Sequence, residues 1–114
     1  RKVQKIIILN HATEFYVSAC EILSNPPEEY KKDVTEAVTL CTEVNKNIAA
    51  ALAKEEEEQR SFLLKAKESN ELFIAKIREL EKIGLLINNS APVLIGFSER
   101  TGIDIDQLLN VSKN

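Results

Sequence analysis

Apolar residues recur near the start of the chain at alternating spacings of four and three: Ile8, Ala12, Phe15, Ala19 and Ile22. Successive helical residues point about 100° apart, so this spacing aligns them on one stripe. Leu9, Tyr16 and Leu23 widen the stripe. The pattern predicts a helix over 2–24 that touches more than one neighbour. "SNPP" then stops it, because Pro26 disfavours helical geometry at Asn25 and Pro27 compounds the effect.

From Glu28 to Ile83 the chain has neither Gly nor Pro. Pro27 followed by Glu28, Glu29 and Asp33 marks a helix start, with acid at the positive end of the dipole. Val34, Ala37, Cys41, Val44, Ile48 and Ala51 keep a three-four alternation, and so do Ala66, Asn70, Phe73, Ile77, Leu80, Gly84 and Ile87. The register slips between them, near Glu55 to Phe62. Residues 53–60, "AKEEEEQR", are good helix formers and poor turn formers. The expectation is one very long central helix over about 28–88, roughly 80 Å or more in length. Its weakest point is "KESN" at 67–70, where neither Ser69 nor Asn70 has the acid or amide three residues on that completes a capping box.

Asn88 and Asn89 close that helix, and Ser90 caps the next with Pro92 in its first turn. Gly102 is placed to end a helix over 91–101. Asp104 with Gln107 resembles a capping box for a last helix over 105–112. The fold expected is therefore all-α: a single domain over 1–114, an elongated helical hairpin with a short C-terminal helical pair.

In that arrangement the first helix covers only the first half of the long one. An apolar seam about 35 Å long stays uncovered from Phe62 to Ile87. Phe62, Ala66, Phe73, Ile77, Leu80 and Ile87 are accordingly the candidate partner-binding residues, for another helical protein or a second copy.

Composition fits this picture. Of 114 residues, 44% are hydrophobic and 29% charged, ordinary values for a folded domain. The net charge of -3 gives no general attraction to phosphate or anionic lipid. The longest apolar run, "IIIL" at 6–9, is too short to span a bilayer. No signal-peptide pattern is present. The chain begins at Arg1 and contains no Met, so it is expected to be trimmed or cut from something longer. Cys20 and Cys41 are expected about 12 Å apart along facing helices, too far for a disulfide. Two buried thiols suit the cytoplasm.

Chemistry-bearing clusters are few. "EEEE" at 55–58 cannot converge on one ion, because consecutive helical side chains diverge. His11 is the only histidine, and no Glu-x-x-His motif of a di-iron bundle exists. It reads as a half-exposed boundary residue near Glu14. Both cysteines sit on apolar faces, where a thiol is inert. No phosphate-binding glycine loop occurs. No enzyme, metal or cofactor is expected.

"FSERTGIDIDQLLNV" at 97–111 has Phe97 and Ser98 at apolar and small positions, Gly102 four residues later, then Ile103, Leu108 and Val111. This spacing resembles the helix-turn-helix of bacterial DNA-binding regulators. The resemblance implies a nucleic-acid-binding segment over 91–112. Its reading helix would however present Asp104 and Asp106 to phosphate, and residues 97–114 carry a net charge of -1. The preferred expectation is a non-enzymatic protein-protein interaction module, an adaptor, scaffold or chaperone-like domain. The aspartates make the closing segment a terminal cap instead, folding Phe97, Ile103, Leu108 and Val111 onto the end of the long helix.

Overall fold

The computed structural model describes residues 2–112 and is all-α. Helix α1 spans Lys2–Ile22, α2 Lys31–Leu52, α3 Glu56–Lys82 and α4 Ser90–Ser112, with a 3-10 turn at Glu28–Tyr30 leading into α2. Each helix packs against the next in the chain, and α4 returns to α1. Paired cross-links show that neighbours are antiparallel: Lys76–Asp33 with Gln59–Ala51 for α2 and α3, Asn70–Ser98 with Lys67–Asp106 for α3 and α4, and His11–Asp104 with Glu14–Arg100 for α1 and α4. This is an up-down-up-down four-helix bundle, 45 × 21 × 18 Å.

The expected helix over 28–88 is instead two helices and a loop. From Ala51 to the next fully buried position, Leu63, the chain advances twelve residues. At 100° each, a continuous helix would turn its apolar stripe about 120° off the core. Breaking at 53–55 restores both stripes to one core by folding α3 back on α2. Polar side chains do the closing. Gln59 Nε2 donates to the Ala51 and Lys54 carbonyls at 3.1 and 3.2 Å. Glu56 takes a φ of 50°, a left-handed conformation that costs a non-glycine residue free energy. The suspected weak point, 67–70, lies inside α3, where Asn70 is buried.

The second end was also misplaced. α3 stops at Lys82, and Gly84, read above as a stripe position, takes a φ of 85°. The Leu85 and Gly84 amides donate back to the Leu80 and Glu81 carbonyls, both at 3.0 Å. That is the six-to-one and five-to-two pairing of a Schellman stop. Asn25 likewise takes a φ of 50°, turning the chain before Pro26.

The core runs the length of the bundle. Ile8, Ala12, Phe15 and Ala19 of α1 meet Val34 to Ala51 of α2, Leu63 to Leu80 of α3, and Ala91, Leu94, Ile105 and Leu109 of α4. Phe15 and Phe73 meet edge-on across its centre, with centroids 4.8 Å apart at 85°. Lys76, with its side chain 13% exposed, clamps α3 to α2 through Asp33 and Glu36 at 3.1 and 2.9 Å. Glu36 and then Asp33 raise its pKa.

Candidate functional site

The sequence-derived seam does not face outward. Ala66, Phe73, Ile77 and Leu80 are all at most 1% exposed and lie in the intramolecular core. The broken long helix explains this: α1, α2 and a full-length α4 enclose α3. Phe62 is half-buried against the core with the Lys65 ammonium 5.2 Å from its ring centroid. Ile87 lies beyond α3 and is exposed. The six residues are thus not brought together as one surface.

The helix pair expected at 91–101 and 105–112 is one helix, and Gly102 sits in its interior. This removes the turn on which the helix-turn-helix resemblance rests. Ser98 and Gly102, four apart, lie on the face that receives α3. A Cβ built on Gly102 would stand 3.1 Å from Asn70 Nδ2. Glycine is therefore required by close approach rather than by a turn. The two aspartates face protein. Asp106 pairs with Lys67 at 3.1 Å, and Asp104 with His11. Ser98, Thr101, Ile105 and Leu109 carry the inward face, whereas Ile103 and Val111 of the expected cap are exposed.

A polar layer follows on the α1–α4 seam. His11 Nδ1 lies 2.7 Å from Asp104 Oδ2, with side chains 25% and 10% exposed. One turn along, Arg100 Nη2 lies 3.3 Å from Glu14 Oε1, and its guanidinium sits over the Phe97 ring. His11 is a boundary residue as expected, but its partner is Asp104, not Glu14. A carboxylate can only accept, so His11 Nδ1 donates to Asp104 Oδ2. Among the described residues no nucleophile is hydrogen-bonded to this pair, and Ser98 Oγ donates to Asn70 Oδ1 in the interior.

The cysteines are free, Cys41 buried and Cys20 half-buried. The Asn45–Ala12 contact sets the register and brings Cys20 level with Ala37, one turn from Cys41 rather than two. Burial, and then the neighbouring Cys20, push the Cys41 thiol up to about 12. Glu55 to Glu58 are solvent-exposed at the start of α3, and among the described residues no cluster of His, Cys, Asp or Glu could hold a metal. No described helix is long and apolar enough to cross a membrane. A shallow surface hollow runs along α2 past Lys31, Thr35 and Thr39. A trough lined by α2 and the turn before it encloses no reactant.

What the sequence reading passed over is the outer face of α1. Val3, Ile6, Asn10, Thr13 and Val17 follow a second three-four alternation, about 170° from the core stripe. Val3 is 70% exposed, Ile6 54%, Ile7 46% and Val17 45%. The signal was present: Val3, Ile6, Ile7 and Val17 stand away from the core stripe, with Asn10 and Thr13 between them. Among the described residues α1 packs chiefly against α2 and α4, which leaves these apolar side chains exposed. Comparison with protein-family models, characterised proteins and solved structures finds no match for the chain. Class and candidate surface therefore rest on the bundle itself.

Proposed function

We propose that this four-helix bundle is a non-enzymatic interaction module that docks another helix on the outer face of α1. The observation that carries the reading is the set of exposed apolar side chains Val3, Ile6, Ile7 and Val17 on a helix whose opposite side is already core. Two apolar faces on one helix fit a position at the centre of a larger helical assembly. Adaptor, scaffold and chaperone-like roles all use such a face. The lone His11–Asp104 pair has no neighbouring nucleophile, which favours binding over catalysis. Free thiols at Cys20 and Cys41 fit a reducing compartment such as the cytoplasm.

Selection of amphipathic helical peptides on the immobilised protein tests the reading. Peptides captured by the native chain should lose at least about tenfold in affinity, some 1.4 kcal/mol, on an Ile6→Asp/Val17→Asp variant that still melts cooperatively. Equal capture by both proteins would refute docking on this face.

A further inference from the structure

The hinge between α2 and α3 is at odds with its own sequence. No Gly or Pro occurs from Glu28 to Ile83, and residues 53–60 are strong helix formers. The fold nonetheless breaks the helix with three residues, 53–55. Glu56 meets the break with a φ of 50°, a conformation that costs a residue bearing a side chain. Glu55 opens α3 without a side-chain hydrogen bond to cap it. Residues 53–58 are all exposed, so the turn is not anchored in the core. The Gln59 amide closes it, on the Ala51 and Lys54 carbonyls. Backbone amides would take those carbonyls if the helix ran on.

We infer that this hinge opens, and that two copies of the chain exchange their α3–α4 hairpins to form a dimer. The α1–α2 pair of one copy then receives α3 and α4 of the second in the places its own had filled. The cover of each opened core face is thereby fixed, because its contacts are those the closed chain already makes. Opening returns Glu56 to helical geometry and gives partners to the amides at the start of α3. α2 and α3 run on as one helix of roughly 80 Å. The phase slip of about 120° between Ala51 and Leu63 falls between the two bundles, where no core has to be continuous. Short strained hinges favour such exchange. Against it stands the chain's own hairpin, tethered at an effective concentration of about millimolar. Exchange therefore needs concentrated protein and passage through an opened bundle. Each bundle keeps an outer α1 face, so the dimer offers two docking surfaces, although the exchange itself does not depend on docking.

Refolding from urea at rising protein concentration, followed by sedimentation, reads the exchange. A dimer should appear at high concentration and persist on dilution, because reversal requires unfolding. Glu56→Gly eases the closed turn and burdens the long helix. It should lower the dimerisation constant at least about tenfold, whereas Gln59→Ala should raise it. Connectivity is read by refolding heavy-isotope and unlabelled copies together and joining Lys76 to Glu36 with a carbodiimide across their 2.9 Å pair. Linked peptides of mixed isotope should occur in the dimer and be absent from the monomer. A chain that stays monomeric at every concentration, with Gln59→Ala included, overturns the inference. So does a dimer whose Lys76–Glu36 links all lie within one chain, or one that Glu56→Gly leaves unchanged.

Discussion

Asn70 and Ser98 hold each other twice across the α3–α4 interface. Ser98 Oγ donates to Asn70 Oδ1 at 2.6 Å, and Asn70 Nδ2 donates to the Ser98 carbonyl at 3.0 Å. Both residues are buried. The pair fixes the register of α4 on α3, because a slip by one turn would strand buried amide groups. Ser98→Ala should destabilise the protein by about 1–3 kcal/mol in urea unfolding, the cost of an orphaned buried group. Asn70→Ala together with Ser98→Ala should cost less than the two separate losses combined.

Gly102 is coupled to the same amide. In the native background Gly102→Ala gains helix propensity of about 1 kcal/mol but drives a methyl against Asn70 Nδ2. The net change should be near zero or unfavourable. In an Asn70→Ala background the alanine should stabilise by about the full 1 kcal/mol. Destabilisation in both backgrounds would instead point to a turn at this position. Chemical denaturation of the four proteins of this cycle measures the difference.

Asp104 holds His11 at 2.7 Å from a site only 10% exposed. Asp104→Ala should therefore cost about 1.5–3 kcal/mol, the range for a hydrogen bond to a charged group. Nitrogen-detected NMR of the native protein should find the imidazole carrying a proton on Nδ1. A ring with no proton on Nδ1 would contradict the assigned pairing.

Titration of Cys41 bears on stability. Its pKa rises from 9.0 to about 12 on folding, chiefly by burial. A thiol whose folded pKa is raised contributes stability that is present below 9.0 and lost as pH climbs toward about 12. Unfolding free energy should fall across that window, and Cys41→Ala should flatten the fall. At pH 8, iodoacetamide should modify Cys20 while leaving Cys41 untouched until the chain unfolds.

Phe73 and Leu80 now belong to stability rather than recognition. Phe73→Ala removes the edge contact with Phe15 and leaves a central cavity, at a cost of about 3–5 kcal/mol. Thermal melting should show this loss, whereas Ile6→Asp should leave the melting temperature nearly unchanged.

The all-α class, the first helix and both inner stripes were legible, because periodicity reports burial on one face. Val34 to Ala51 and Ala66 to Leu80 are inside as their spacing predicts. The loop at 53–55 was not legible, because no Gly or Pro marks it and Gln59 supplies the cap from downstream. The phase slip between Ala51 and Leu63 was its only trace, and a bent helix would leave a similar one. Gly84 and Gly102 were exchanged in meaning. The first is a true stop with positive φ, and the second is a helical glycine kept for Asn70. Nothing local to either residue separates those roles, which depend on the opposing helix. The outer face of α1 escaped notice for a similar reason. Once a core stripe is assigned, the remaining apolar residues look like its margin until α2 and α4 show where the neighbours end.

The central claim is that recognition lies on the outer face of α1 and not on residues 62–87. Methyl-resolved NMR during titration with a selected amphipathic helical peptide tests it most directly. The account predicts saturable shifts at the Val3, Ile6, Ile7 and Val17 methyls while those of Ile77 and Leu80 stay fixed. Shifts concentrated at Ile77, Leu80 and Ile87, with the α1 methyls silent, would contradict it.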